Sequence, residues 1–390
     1  MSEANVSGNA VSIPSPRKVP LPELARFFLR LGTTAFGGPA AHIAIMEDEL
    51  VRHRKWLSHE KFLDLLGASN LIPGPSSSEL AIHIGYLCAG WRGLLIAGIC
   101  FILPATVMVT ALGWLYTHLD KLPATEGILY GIKPVVIAVI LQALWRLGRT
   151  AIKTTFLAFM AVSSVFLAAI GLHPLLLLLL AGAVACLLRL KTDRLSVSTL
   201  TSLTIGGSGL ATTTAFSLGS LFLVFLKIGA IVFGSGYVLL AFLRADLVTN
   251  RGWLTDAQLV DAVAVGQVTP GPVFTTATFI GFILAGSRGA ALATLGIFLP
   301  AFLLVAISGP LVPHIRNSKS AGAFLDGVNV ASLALMATVG WQLGRASLVD
   351  VFTVLLTVVS LALLGFRWNS AWLLIGGAVM GFAANSHHLR

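Results

Sequence analysis

Long apolar stretches recur along the whole chain, and no other feature limits its possible folds as strongly. A helix needs about 20 apolar residues to cross the hydrocarbon core of a membrane, and the sequence offers about ten to twelve runs of that kind. Transmembrane strands would instead alternate over about ten residues. Because only helices and closed barrels satisfy their backbone groups inside lipid, we predict an all-α polytopic membrane protein.

The charge of the chain agrees with this prediction. Only 11% of the residues are charged, against roughly a quarter in an ordinary soluble domain. The formal net charge is +10, but the basic residues are scattered between apolar segments and do not gather on one face. We interpret them as loop charges that orient the helices by the positive-inside rule. The predicted partner is therefore the lipid bilayer and not nucleic acid.

The sequence contains the same pattern twice. At an offset of 197 residues, Trp56-Leu57 falls on Trp253-Leu254 and Pro73-Gly74-Pro75 falls on Pro270-Gly271-Pro272. After one deleted residue the offset becomes 196, and the match continues to the W-x-L-G-R runs that end at Arg149 and Arg345. Such a long register indicates a duplication.

The duplication predicts two homologous halves of about five to six transmembrane helices each. We expect a disordered N-terminal tail over 1–20, a first repeat over 21–190, a linker over 191–214 and a second repeat over 215–390. Duplicated halves are typical of secondary transporters, whose substrate site lies between the repeats. Lys and Arg favour one side in the first half and weakly the other side in the second, which favours inverted repeats.

Each half interrupts an apolar run with Pro-Gly-Pro, at 73–75 and at 270–272. Proline cannot continue a helix, and broken backbone at membrane depth occurs only where it lines a cavity or is buried in protein. Hydroxyl residues follow each break, namely Ser76, Ser77, Thr275 and Thr276. In the first turn of a new helix, free N–H groups and hydroxyls favour an anion. A proline kink that merely eases packing is the alternative.

A second pair of breaks lies at Gly37-Gly38 and at Gly234-Ser235. Small residues there permit close approach of the backbone to a ligand or to a neighbouring helix. Both interpretations stay open, and we carry these four residues as candidate substrate contacts.

Two ionisable residues inside apolar segments are functional candidates by default. Lys133 precedes Pro134 and is matched by the neutral Asn329 in the second half, so we predict that it offers positive charge to an anion. A lysine that snorkels from a helix end is the alternative. Glu79, one turn beyond Pro75, is predicted to carry a coupling proton, or else to stabilise the helix start electrostatically.

The cysteines predict neither a metal site nor a cofactor. Cys88, Cys100 and Cys186 stand singly, and no CxxC pair is present, so a disulfide framework is not supported either.

These motifs together resemble a known family. "FGGPAAHI", "PGPSSSELAIHIGY", "GQVTPGPVFTTATFIGF" and "GIKP" are similar to the chromate ion transporter (CHR) family in its long two-domain form, over about residues 22–385. The first PGP block departs from the family's pattern, because it has three serines where a mixed polar triplet is usual.

The resemblance implies export of chromate, a tetrahedral divalent oxyanion, across the bacterial inner membrane, driven by the membrane potential or by exchange and conferring chromate resistance. It implies that Pro73, Gly74, Pro75, Pro270, Gly271 and Pro272 shape half-helices. Ser76, Ser77, Thr275 and Thr276 would donate hydrogen bonds, and Lys133 would supply charge. Sulfate has a similar shape and charge and is the alternative substrate, and a homodimer is left open.

An enzyme is the competing class of function. Residues 206–209 read G-G-S-G, a turn that presents a nucleophilic serine in some intramembrane hydrolases. Nucleophilic catalysis needs a positioned base, and no histidine stands in a matching context. We therefore predict a transporter and not an enzyme.

Overall fold

The computed structural model describes residues 18–36, 38–119, 123–192, 216–233, 238–308, 319–366 and 368–388. Most of the predicted tail, most of the predicted linker, the G-G-S-G turn and the candidates Gly37, Gly234 and Ser235 lie outside these ranges. Within them the chain forms fourteen α-helices, supplemented by short π and 3-10 segments.

The first half contains seven helices. They are α1 Leu21–Thr34, α2 Gly38–Glu47 with its π-helical continuation Asp48–His53, α3 His59–Leu71, α4 Ser76–Leu119, α5 Pro123–Ala151, α6 Thr155–Ala169 and α7 Pro174–Thr192. The last of these extends two residues into the segment predicted as a linker.

The second half repeats that series. Its helices are α8 Leu218–Ile231, α9 Leu239–Leu243 with its π-helical continuation Arg244–Asn250, α10 Asp256–Val268, α11 Thr276–Ser308 after the 3-10 turn Val273–Thr275, α12 Lys319–Ser347, α13 Val351–Gly365 and α14 Ser370–His388. Helices α1, α3, α5, α6 and α7 recur with both ends displaced by 197 or 196 residues. The prediction of two homologous halves is confirmed.

Local capping explains why the helices begin at equivalent places. Ser58 and Thr154 accept hydrogen bonds from backbone N–H groups in the first turns of α3 and α6. Their equivalents Thr255 and Asp350 do the same for α10 and α13. A capped start satisfies donors that have no partner within the helix, so the duplicated caps fix duplicated boundaries.

Helices α4 and α11 each contain a sharp reversal. The backbone leaves helical geometry at Ala89-Gly90 and at Ala285-Gly286, and both glycines have a positive φ of about 60°. Gly85 meets the backbone of Gly93 across the first reversal. Each long helix is therefore a hairpin, whose short first arm follows a PGP turn.

The two halves are intertwined. Helix α5 of the first half packs against α13 and α14 of the second, and α12 of the second half packs against α6 and α7 of the first. Helices α5 and α12 also contact one another: Gly148 lies against Leu333, and Gly344 lies against Ile137. The later residue of α5, Gly148, thus meets the earlier residue of α12, Leu333, and the earlier residue of α5, Ile137, meets the later residue of α12, Gly344. These two equivalent helices are therefore antiparallel.

Within the described ranges, four helical segments are long and apolar enough to cross a membrane. They are Ser76–His118, Gly127–Ala151, Val273–Ser308 and Gly322–Ser347. Five further helices carry apolar segments of 14 or 15 residues in the described ranges, and such segments are short for a straight crossing. The prediction of a multi-helix membrane protein is confirmed, and the number of crossings in each half stays a prediction.

Candidate functional site at the repeat interface

The two PGP turns, residues 73–75 and 270–272, meet the opposite repeat through reciprocal hydrogen bonds. The Gly74 N–H donates to the Val232 carbonyl over 2.7 Å, and the Gly271 N–H donates to the Ala35 carbonyl over 3.0 Å. The donors Gly74 and Gly271 are 197 residues apart, and so are the acceptors Ala35 and Val232, so each repeat donates one of these bonds and accepts the other. A pseudo-two-fold axis therefore relates the two turns.

The broken backbone at this crossing is buried in protein. Gly74 and Pro75 are buried, as is the whole of 270–272, while Pro73 is partly exposed. The glycine break of the first half joins the crossing, since Gly38 lies against Val273. Burial between the repeats gives the turns one of the two settings in which irregular backbone is tolerated at membrane depth.

Most of the predicted hydroxyl donors are engaged by the protein. Thr275 donates to the Pro272 carbonyl over 2.7 Å, and Thr276 donates to the Val273 carbonyl over 2.8 Å. Both side chains are fully buried. In this conformation the two threonines stabilise the start of their own helix.

Ser77 is held by a buried histidine, His42. The ring of His42 contacts the Ala35 carbonyl through Nε2 at 3.1 Å and the Ser77 hydroxyl through Nδ1 at 3.3 Å. A carbonyl only accepts, so Nε2 donates to Ala35, and in the neutral ring Nδ1 accepts from Ser77. The Ala35 carbonyl accepts a hydrogen bond from the Gly271 N–H of the other half. Through His42 it is also connected to Ser77 at the start of α4.

Glu79 lies directly against Gly74 at the crossing. Its side chain has no exposed surface, and neither carboxyl oxygen has a hydrogen-bond partner within the described ranges. One turn further along the same helix, the buried His83 also leaves Nε2 unpartnered there. The second half has Thr275 and Phe279 at the equivalent positions. This ionisable pair therefore belongs to the first repeat alone.

Lys133 forms an ion pair across the two repeats. Its Nζ lies 3.4 Å from Oδ1 of Asp261 in α10, and the Tyr116 hydroxyl donates to Oδ2 of the same carboxylate over 3.0 Å. Only 4% of the Asp261 side chain is exposed. The positive charge assigned to an anion from the sequence is therefore balanced by a carboxylate here. Neither Asp261 nor Tyr116 was among the candidates.

A cavity of about 460 Å³ opens between the repeats at the other end of α5. We call it the Arg146 cavity, and the polar residues that line it include Asn70, Ser76, Gln142, Arg146, Asn329 and Ser332. Of the predicted donors, Ser76 contributes to this lining. Arg146 was not among the candidates. The repeat alignment did offer a signal, because Gln342 stands at the equivalent position of an otherwise matching W-x-L-G-R run.

These features define a polytopic helical membrane protein made of two intertwined repeats, with irregular backbone crossing at their interface. The chromate transporter family model matches the chain twice, over residues 22–187 and 219–382. The chain belongs to the chromate transporter family.

Curated relatives match along most of their length. A probable chromate transport protein of Synechococcus elongatus is 34% identical, covering 87% of this chain and 89% of its own. A chromate transport protein of Cupriavidus metallidurans is 33% identical over 92% of both chains, and one of Pseudomonas aeruginosa is 32% identical over 85% of this chain and 83% of its own. No solved structure matches the chain.

Proposed function

We propose that this protein exports chromate from the cytoplasm across the inner membrane and so confers chromate resistance. The observation that carries the proposal is the reciprocal crossing of the PGP turns between two repeats, because secondary transporters place their substrate site where such repeats meet. The chromate transport proteins that match nearly the whole chain supply the substrate. Sulfate remains the competing substrate.

Uptake of labelled chromate into inverted membrane vesicles tests this function. An exporter should fill vesicles whose cytoplasmic face points outward, and vesicles without the protein should stay empty. A tenfold excess of sulfate should leave most of that uptake in place. Faster uptake by right-side-out vesicles would contradict export, and transport of sulfate without chromate would contradict the substrate.

Glu79 is the proposed coupling residue. An unpaired carboxylate is costly to bury, so the setting of Glu79 favours a carboxyl that takes up and releases a proton during transport. In the same vesicles, Glu79→Gln should flatten the dependence of chromate uptake on pH while chromate binding stays measurable. An unchanged pH profile would leave Glu79 a structural residue of the PGP crossing.

We further propose that the repeats have opposite orientations in the membrane. Helices α5 and α12 occupy equivalent places in the two repeats and are antiparallel. Equivalent helices that cross a membrane in opposite directions belong to inverted repeats. The shifting Lys and Arg bias of the loops points the same way.

Cysteine labelling tests this orientation. Arg52 and Thr249 are exposed and differ by the repeat offset of 197, so single cysteines at these positions report on equivalent places. In a background where Cys88, Cys100 and Cys186 are replaced, we expect Arg52→Cys and Thr249→Cys to react with a membrane-impermeant reagent from opposite sides. Reaction of both from one side would rule out inverted repeats, provided that the background still transports chromate.

A further inference from the structure

The Arg146 cavity combines both repeats. From the first half it receives α2, the end of α3, the start of α4 and the second half of α5, and from the second half it receives α12. A volume of about 460 Å³ is within the range of small-ligand sites, roughly 300–1,000 Å³. It leaves ample room for a small oxyanion with some of its water.

The cavity carries an excess of positive charge. Its charged residues are Arg146, Lys153 and Asp326. The Lys153 Nζ lies 3.0 Å from Oδ1 of Asp326, so these two charges offset one another. No carboxylate of the described ranges lies within 4.0 Å of the Arg146 guanidinium. Arg146 therefore offers an uncompensated cation to whatever enters.

Neutral donors line the same cavity. Gln142 uses one amide hydrogen on the Leu364 carbonyl at 2.8 Å and keeps a second. The buried Ser332 hydroxyl has no partner within the described ranges. Ser76 places the start of α4 at the same cavity, where backbone N–H groups and the helix dipole favour an anion.

The place in the other repeat that is equivalent to this cavity has a different arrangement of charges. Asn329 of α12 lines the Arg146 cavity, and its equivalent in α5 is Lys133. At that equivalent place the partly buried Lys133 is paired with the buried Asp261. Lys133 and Arg146 are 13 residues apart on one helix, about 20 Å at 1.5 Å per residue. One of two related regions thus holds an open cavity with a cation that has no carboxylate partner in the described ranges, and the other holds an ion pair.

We infer that the Arg146 cavity is the site where the transported oxyanion binds in this conformation, with Arg146 as its principal ligand. The inference rests on the proposed function and adds a site to it. A guanidinium presents five N–H donors in a planar fork that matches pairs of oxyanion oxygens. A dianion leaving water needs such fixed charge, because an uncompensated buried charge costs several kcal/mol.

The test replaces Arg146 and measures both uptake and binding. Arg146→Gln should raise the chromate concentration for half-maximal uptake by tenfold or more, and Arg146→Lys should recover part of that loss, since charge survives but the fork does not. Chromate alone should raise the melting temperature of the purified wild-type protein and should no longer do so in Arg146→Gln.

Arg149 provides the matched control. It lies one turn further along α5 and is exposed, as Arg146 is, but it does not line the cavity, so Arg149→Gln removes the same charge without touching the site. Unchanged chromate affinity in Arg149→Gln together with the loss in Arg146→Gln supports the inference. Wild-type affinity and wild-type thermal shift in Arg146→Gln would overturn it while leaving chromate export intact. Absence of chromate uptake by the wild-type protein would instead overturn the proposed function.

Discussion

Gly271→Ala should abolish chromate uptake and lower the melting temperature of the purified protein. Gly271 has a φ of +93°, and a Cβ built there would lie 2.8 Å from the Cβ of Ala105. A residue with a side chain pays about 1–2 kcal/mol for left-handed backbone, and overpacking costs a further ~1–3 kcal/mol. Relief of that contact would displace the Gly271 N–H from the Ala35 carbonyl and disrupt the crossing of the PGP turns.

Gly286→Ala separates backbone strain from the crossing itself. Gly286 also has a positive φ, of +60°, but no neighbouring atom lies within 4 Å of a Cβ built there. This variant should lose some stability and still transport chromate. If Gly271→Ala transports at the rate of Gly286→Ala, close approach of the two repeats at the PGP turns is not required for transport.

Removing the charge of Lys133 should both destabilise the protein and weaken its affinity for chromate. Lys133→Gln removes the cation that lies 3.4 Å from the buried Asp261 carboxylate. Breaking a fully buried pair costs about 3–5 kcal/mol, and we expect a smaller loss here, because Lys133 is partly exposed and Tyr116 keeps its hydrogen bond to Asp261. If Lys133 also meets the anion once Asp261 releases it, chromate affinity should fall by roughly tenfold or more, where each decade corresponds to about 1.4 kcal/mol. Thermal unfolding and concentration-dependent uptake measure the two effects.

The double variant Lys133→Gln with Asp261→Asn distinguishes these two roles. It removes both charges, so much of the lost stability should return while the loss of chromate affinity persists. Wild-type affinity in the double variant would make Lys133 a purely structural partner of Asp261.

A second ion pair serves as the control for Lys133. Lys227 Nζ lies 2.6 Å from Oδ1 of Asp246, whose side chain is 8% exposed, and both residues belong to the second repeat. Lys227→Gln should therefore destabilise the protein without changing its affinity for chromate. An equal loss of affinity in this variant would show that general destabilisation, and not the interface charge, lowers chromate binding.

The two ion pairs also bear on how the transporter works. The Lys133 pair joins α5 of one repeat to α10 of the other, whereas the Lys227 pair lies within one repeat. Alternating access moves one repeat or bundle against another around the substrate site, and a contact between repeats is one that such a movement can break. We therefore expect the pair of Lys133 with Asp261, and not that of Lys227 with Asp246, to change during transport.

Much of the architecture followed from local signals in the sequence. The apolar runs are longer than a transmembrane strand and therefore predicted helices. In lipid, the backbone N–H and C=O groups of such a segment must find their hydrogen-bond partners within the segment itself. The repeat offset fixed matching helix boundaries, since the caps at Ser58 and Thr154 were duplicated as Thr255 and Asp350. The breaks at the PGP turns were equally predictable, because proline and glycine act on their own stretch of backbone.

Only the tertiary structure decided which groups meet at the interface. Glu79 and Lys133 stood out in the sequence because a charge in an apolar segment is a local anomaly, but the partner of Lys133 lies in the other repeat. Arg146 looked like an ordinary residue at a helix end, and its setting becomes visible only once α12 completes the cavity. Ion pairs and cavities are formed by side chains from separate helices. The energy of an ion pair depends on the distance between its two charges, and only the packing of the helices sets that distance. The sequence could therefore determine the helices and their breaks, while the packing of two intertwined repeats determined that Lys133 is paired with Asp261 and that Arg146 faces a cavity.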